Sequence, residues 1–419
     1  MLRAVQQRER VLRIGWNPAG PAVIVALLGI SQIIGYGTLY YSFSILAADI
    51  AASFDWPVSW VFGSFSLALL AGGLLAPLVG RRIDRHGAAA VMVLGSALTA
   101  VTLLAVALAP NALSFTIALI AMQAVSALVL YEAAFAALVQ VTGMEARLRI
   151  THLTLIAGFA STIFWPLTSW LHGVMDWREI FMIFAVLNLF VCLPIHLFMA
   201  LQRRASLLRA SPQAAHVTAP AQKLPPEIAR SALWLVTGAF ALSGFVQSAM
   251  LTQMVPLLTL LGLGGAALLV SMLVGPSQVL ARFVNMVAGS KQHPLAVAVV
   301  SLVLFPAAIL LLAGTTPMML GAGAFAVLFG GGAGLKSIVQ GTLPLALFGS
   351  AAYGTRLGYM AAVRQVLGAS APFVFAWTIE AIGATYALVV LAGIALVAVV
   401  MLVEVGRITR VPRAEISEA

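Results

Sequence analysis

Three charged residues lie inside long apolar stretches of the chain: Glu132, Lys336 and Arg364. Burial in apolar surroundings disfavours the charged form of a carboxyl group, so Glu132 is predicted to bind and release a proton. Lys336 and Arg364 are predicted to attract an anionic solute, because an ionisable residue in such a stretch is by default a functional hypothesis. The alternative is a static ion pair, or side chains that extend to the ends of their helices.

Two further series of residues recur at helical spacing, which places each series on one face of a helix. They are predicted solute contacts, because binding sites need a few polar groups in an apolar concavity. The alternative is that they join neighbouring helices. The two series are Gln32, Tyr36 and Tyr40, and Gln247, Met250 and Met254.

Few residues are suited to metal or cofactor chemistry. Met250 with Met254, and Cys192 with His196, have the i, i+4 spacing of a soft-metal pair. Methionine and cysteine, however, are both common in the packing of apolar cores. Cys192 is the one cysteine, so no intramolecular disulfide or thiol zinc cluster can form. Phosphate-loop, His-Glu-x-x-His and Gly-x-Ser-x-Gly motifs are lacking. We expect no metal, no cofactor and no enzymatic activity.

The elements that hold these residues follow from the composition. Of 419 residues, 62% are hydrophobic and 9% are charged, whereas roughly a quarter are charged in a soluble protein. Such a chain cannot cover a water-soluble core with polar side chains, so its solvent is predicted to be lipid. The apolar runs are continuous rather than alternating, which favours helices of about 20 residues over barrel strands. The predicted fold class is an all-α integral membrane protein.

Charges, prolines and glycines divide the chain into twelve predicted transmembrane spans. The implied domains are a six-helix bundle at 1–201, a cytoplasmic linker at 202–230, a second six-helix bundle at 231–405 and a cytoplasmic tail at 406–419. The spans run, in order, over residues 21–48, 57–79, 88–109, 111–140, 150–171, 180–201, 231–261, 266–288, 294–313, 317–344, 357–382 and 384–405.

Lysines and arginines sort onto alternate connections, together with the N-terminal segment, the linker and the C-terminal tail. By the positive-inside rule this side is cytoplasmic. The net charge of +10 is therefore attributed to topology and not to nucleic-acid binding. We expect a multi-pass protein of the bacterial inner membrane with both termini cytoplasmic. The opposite connections carry Asp49, Asp55, Asp176, Glu179 and Glu380, with Arg178 as their cation.

The connection between spans two and three reads Gly80-Arg81-Arg82-Ile83-Asp84-Arg85-His86-Gly87. Gly80 and Gly87 permit a tight turn, and Asp84 can accept hydrogen bonds from arginines or cap a helix N-terminus. This segment resembles the Gly-x-x-x-Asp-Arg/Lys-x-Gly signature of the major facilitator superfamily, whose six-plus-six layout the chain shares. The resemblance implies two six-helix bundles and a gating role for Gly80, Asp84, Arg85 and Gly87 in a cytoplasmic latch between them.

The resemblance also implies that spans one, four, seven and ten line a central cavity, with Glu132 and Lys336 on facing halves. The sequence departs from the family pattern at Ala88-Ala89-Ala90, where further basic residues are usual, and at Thr162–Pro166, where drug–proton antiporters carry a Gly-rich segment. The Tyr36–Tyr41 segment is similar to bacterial monocarboxylate-porter relatives. Metalloid-efflux members are a second candidate branch.

These features predict a secondary active transporter that moves a small solute across the inner membrane by alternating access, coupled to protons, with a small organic anion favoured. Efflux of a drug or of a metalloid such as arsenite, and uncoupled facilitation, stay open as alternatives. A sensor built on a transporter scaffold is the less favoured alternative, because a sensor would normally carry an extra soluble domain. The expected partners are a small-molecule substrate, protons and the lipid bilayer, without nucleic acid, and the expected state is a monomer.

Overall fold

The computed structural model describes residues 20–209, 224–289 and 292–409, and this part of the chain is helical without β-strands. Eleven helical stretches in it are long and apolar enough to cross a membrane. One of them, Ala112–His172, has 61 residues, about three times the length of one crossing. It turns at Gly143–Glu145, where Gly143 has a φ of 51°. This stretch therefore holds two spans, and the predicted twelve-helix fold is confirmed.

Several spans consist of two helices separated by a turn or a π-helical turn. This is the case for spans one, four, five, six and eight. In chain order the helices are Pro21–Tyr36 with Phe43–Ser53, Val58–His86, Ala88–Ala107, Ala112–Ser126 with Tyr131–Thr142, Ala146–Ala157 with Ala160–His172, Trp177–Leu187 with Leu193–Arg209, Pro226–Leu258, Ala266–Met272 with Val274–Ala288, Pro294–Thr315, Met319–Phe348, Tyr353–Ile382 and Ala384–Ile408.

Span two is longer than the sequence predicts. Helix Val58–His86 includes residues 80–86, so the motif forms the last two turns of a helix and the turn predicted at Gly80 is wrong. Gly87 alone reverses the chain, with a φ of 90°, and the next helix begins at Ala88. Residues 81–86 tolerate a helix, and the missing Cβ of Gly80 serves packing instead of a turn.

Span four is broken near its middle, where the sequence predicts one continuous helix. Its two helices end at Ser126 and begin again at Tyr131, and Leu130 between them is extended, with φ −83° and ψ −162°. Interrupted backbone at membrane depth is tolerated only where protein or water satisfies its polar groups. The break creates a new helix N-terminus at mid-membrane depth, with Glu132 in its first turn.

Helices extend into both ends of the predicted linker. Residues 202–209 continue span six, and span seven begins at Pro226. Residues 406–408 likewise continue span twelve. The N-terminal segment before residue 20, the remainder of the linker at 210–223 and the tail beyond 409 lie outside the described residues.

The two halves are joined toward one end of the molecule, which carries Arg81, Arg85 and Arg147 and is here called the basic end. Within the described chain, every hydrogen bond between the halves lies in the half of the spans nearest this end. One apolar core of the first half also takes in Leu345 and Leu357 of the second half there. The halves are thus closed at the basic end, and among the described residues no hydrogen bond joins them at the opposite, acidic end.

Candidate functional site

Glu132 and Arg364 form an ion pair across the two halves, with 2.7 Å between Glu132 Oε1 and Arg364 Nη2. Each side chain is 23% exposed. Glu132 lies in the first turn of helix Tyr131–Thr142, where the positive end of the helix dipole attracts a carboxylate. The two residues named separately in the sequence are therefore partners, and Lys336 takes a different partner.

Gly244 of span seven makes room for the stem of Arg364. A Cβ added at residue 244 would lie 2.8 Å from Arg364 Cγ, closer than such atoms approach. The guanidinium is thereby held between span seven of its own half and Glu132 of the other half. This arrangement positions one cation at the boundary between the halves.

Gln32 and Gln123 support the interruptions in spans four and one. Gln32 Nε2 donates to Val129 O at 2.7 Å, inside the break of span four. Gln123 Nε2 donates to Leu39 O at 2.6 Å, inside the π-helical turn of span one. Since Gln32 is fully buried, its amide stabilises the break and does not line the cavity, whereas Tyr36 and Tyr40 of the same predicted series do.

Lys336 is buried, at 2% exposure, and its Nζ donates to Gln247 Oε1 at 3.0 Å. The ring of Phe305 lies beneath it, with its centroid 5.8 Å from Nζ. No carboxylate pairs with Lys336 among the described residues. The structure thus brings together Lys336 and Gln247 from the predicted site, whereas Met250 is packed in the apolar core of the second half.

Arg282 is a further buried cation, which the sequence interpretation did not single out although its place within span eight gave the signal. It is 7% exposed. Its Nη1 donates to Thr154 O of the first half at 3.1 Å, and its Nε lies 3.4 Å from Gly334 O. Nη2 lies 3.5 Å from Gln278 Oε1. These partners are neutral, so the charge of Arg282 is not compensated by them.

Asp84 caps the N-terminus of span eleven. Its Oδ1 accepts from Gly354 N at 2.9 Å and its Oδ2 accepts from Thr355 N at 2.7 Å. These two N–H groups have no partner within their own helix, and the helix dipole adds to the attraction. The sequence predicts that Asp84 accepts hydrogen bonds from arginines or caps a helix N-terminus, and the structure shows the helix cap.

The other predicted gating residues differ in position. Gly80 lies against span eleven, since a Cβ there would be 2.2 Å from Gly354 O. Gly87 forms the turn after span two. Arg85 is exposed. Arg81, on the preceding turn, donates across the boundary to Tyr359 Oη at 3.1 Å. The contact between spans two and eleven therefore involves Gly80 and Asp84, with Arg81 added.

A cavity of about 160 Å³ lies between spans one, two, four and eleven. This volume suits a small solute, because pockets for drug-sized ligands are larger, about 300–1,000 Å³. Its wall combines the ion pair with tyrosines, amides and small residues. Its lining includes Tyr36, Tyr40, Gln123, Ser126, Glu132, Arg364 and Gln365.

The sequence model of the Major Facilitator Superfamily matches residues 25–372. No curated protein sequence matches the chain significantly.

Solved structures share the fold at low sequence identity. The human organic anion transporter MFSD10 (TETRAN) has a TM-score of 0.69 at 16% identity, over 91% of this chain and 98% of that chain. The proton:xylose symporter XylE, bound to 6-bromo-6-deoxy-D-glucose, has a TM-score of 0.68 at 12% identity, over 92% of this chain and 95% of that chain. FucP, a transporter in the outward conformation, has a TM-score of 0.62 at 17% identity, over 91% of this chain and 98% of that chain.

Proposed function

This chain belongs to the major facilitator superfamily, and we propose that it is a secondary active transporter that carries a small organic anion, coupled to a proton. It is a multi-pass membrane transporter rather than an enzyme, and its substrate is a small molecule. The anion, the proton coupling, the monomeric state and the bacterial inner membrane are the proposed parts. MFSD10, a neighbour in fold, carries organic anions, and XylE is a proton-coupled symporter.

The balance of charge in the middle of the spans supports an anionic solute. Glu132 neutralises Arg364. Arg282 and Lys336 have neutral hydrogen-bond partners in the described chain. Buried charges without a counter-charge are strongly unfavourable, so a solute that brings a negative charge is attracted to this region.

The Glu132–Arg364 pair is the observation that carries the proton coupling. Protonation of Glu132 removes the charge that holds Arg364, which leaves the guanidinium available to a solute carboxylate. Conversely, an anion bound at Arg364 displaces Glu132 and favours its protonation. Because the pair joins the two halves, this exchange of partners also loosens the contact between them. Tyr36, Tyr40, Gln247, Lys336 and Arg364 are the proposed solute contacts.

Alternating access fits the way in which the halves meet. With the basic end in the cytoplasm, as the positive-inside rule predicts, the hydrogen bonds between the halves close the cytoplasmic side. Inward opening then requires loss of the Asp84 cap on span eleven and of the Arg282–Thr154 hydrogen bond. Gly80, Asp84, Arg85 and Gly87 remain the proposed gate, with Asp84 as its main contact.

The test is solute-induced proton flux in proteoliposomes that hold the full chain and an internal pH dye. The panel contains small aliphatic and aromatic monocarboxylates, arsenite, a cationic amphipathic drug and xylose. We expect proton movement with a carboxylate, and its loss in Glu132→Gln while the protein still inserts. Glu404→Gln is the matched control, because Glu404 forms an exposed pair with Arg407 within one helix.

Each other outcome assigns a different function. Carboxylate uptake without proton flux would make the protein a uniporter or exchanger and return Glu132–Arg364 to a structural pair. Flux with arsenite or with the drug alone would replace the anion by the efflux substrates that the sequence leaves open. Unaltered pH dependence in Glu132→Gln would refute the role of Glu132.

A further inference from the structure

Four tyrosines of the first half form a continuous aromatic surface, here called the tyrosine wall: Tyr36, Tyr40, Tyr41 and Tyr131. Tyr36 lies 4.7 Å from Tyr131 and 6.3 Å from Tyr41 between ring centroids, and Tyr40 lies 5.4 Å from Tyr41. The π-helical turn of span one at Gly37–Tyr41 places Tyr40 and Tyr41 beside each other. The break of span four places Tyr131 at the first position of its helix.

The hydroxyls of the tyrosine wall have no hydrogen-bond partner in the described part of the protein, and none of them is a fully buried atom left unpaired. Tyr36 and Tyr40 line the cavity, and Tyr40 is 45% exposed. Two tyrosines of the second half behave differently, since Tyr353 Oη donates to Gly341 O at 2.7 Å and Tyr359 Oη accepts from Arg81. Polar groups in apolar surroundings normally find partners, so the hydroxyls of the wall are available to a solute.

Arg364 of the second half lies at the same cavity as this wall. It lines the cavity together with Tyr36 and Tyr40. Its guanidinium is paired there with Glu132, which follows Tyr131 in the chain.

We propose that the solute is a carboxylate that carries a planar aromatic ring, with the ring against the tyrosine wall and the carboxylate toward Arg364. This inference rests on the proposed anion transport and adds the substrate class. Offset and edge-to-face packing of aromatic rings adds to the burial of their area, which a saturated ring of equal size and charge does not gain. Tyrosine hydroxyls can donate to the carboxylate oxygens. An uncharged ring gives Arg364 no counter-charge to replace that of Glu132.

The experiment measures binding by calorimetry to the purified full chain in lipid nanodiscs, with three probes of similar size. Benzoate has both ring and charge, cyclohexanecarboxylate has the charge and a saturated ring, and benzamide has the ring without the charge. We expect benzoate to bind about tenfold more tightly than cyclohexanecarboxylate, and benzamide not to bind measurably. In Tyr36→Leu, which changes a ring that lines the cavity, the ratio between the two carboxylates should fall to about one.

Tyr386→Leu is the matched control, because Tyr386 is a tyrosine on the exposed surface of span twelve and its loss should leave the ratio unchanged. Should Tyr36→Leu fail to fold, Tyr40→Leu serves the same purpose because Tyr40 also lines the cavity, and the comparison of probes on the unaltered chain stands by itself. Equal binding of the two carboxylates would overturn the aromatic class while leaving anion transport intact. Binding of benzamide as tight as that of benzoate would overturn both, because the charge would then play no part.

Discussion

Asp84 of span two and Gly354 of span eleven are joined by a hydrogen bond of 2.9 Å from Gly354 N to Asp84 Oδ1, and the second carboxylate oxygen accepts from the next residue. One side chain of the first half thus satisfies the open end of a helix in the second half. Such caps contribute about 1 kcal/mol, and a negative charge at a helix N-terminus adds to this. This relation links the closed basic end to a single carboxylate.

Asp84→Asn should weaken that closure. An amide offers one acceptor oxygen where the carboxylate has two, and it lacks the negative charge. The state that is open at the basic end should therefore gain roughly five- to thirtyfold in relative population, which corresponds to about 1–2 kcal/mol. The measurement is the rate at which a membrane-impermeant thiol reagent labels a cysteine placed at Ser126 in the cavity. Labelling from the acidic side should be slower in Asp84→Asn than in the protein with Asp84. Asp55→Asn, an exposed acidic-end residue, should not change the rate.

Gly80→Ala should produce the same shift without any change of charge. The added Cβ would lie 2.2 Å from Gly354 O, so spans two and eleven must separate. Gly63→Ala is the matched control on the same helix, because nothing lies within 4 Å of a Cβ there. Equal labelling rates in the two variants would show that the close approach of these helices does not hold the basic end closed.

The Glu132–Arg364 pair should behave as a coupled unit in thermal unfolding. Each single change, Glu132→Gln or Arg364→Gln, leaves one partly buried charge unpaired and should destabilise the protein by about 1–2 kcal/mol, less than for a fully buried pair because both side chains are partly exposed. The double variant should be more stable than the sum of the single effects predicts. Additive melting temperatures would mean that the two charges do not interact in the membrane.

Gln32→Leu distinguishes a structural amide from a solute contact. It leaves Val129 O without its partner in the break of span four, which should lower stability by about 1–3 kcal/mol. Because Gln32 lies outside the cavity lining, the KM for the transported solute should stay nearly constant. A changed KM with unaltered thermal stability would restore Gln32 to the solute contacts that the sequence predicts.

Lys336→Met should raise the melting temperature and abolish anion binding together. An unpaired buried ammonium destabilises the fold, and a methionine of similar length fits apolar surroundings. The matched control is Arg407→Met at the exposed end of span twelve, where neither property should change. A less stable Lys336→Met protein would indicate that Gln247 and Phe305 fully compensate the charge, and would weaken the case for an anionic solute.

The spans themselves were predictable because lipid imposes a simple rule on sequence. The predicted span eight at 266–288 agrees with the helices observed there, and span nine differs only by two residues at its end. A helix that must bury about 20 apolar residues leaves a local signal. The break at residues 127–130 leaves no such signal, because the residues on both sides are as apolar as a continuous span, and its support comes from Gln32, 97 residues away.

The charges show the same division. That Glu132, Lys336 and Arg364 lie inside the membrane follows from the sequence alone, since each interrupts an apolar run. Which of them pair does not, because pairing depends on how two six-helix bundles meet: Glu132 reaches Arg364 across 232 residues, and Lys336 instead reaches Gln247. Sequence determined the helices, the number of spans and the presence of buried charge, all of which arise from local hydrophobicity. Tertiary structure alone decided the partners, the broken span and the tyrosine wall, because these arise from contacts between helices that are distant in the chain.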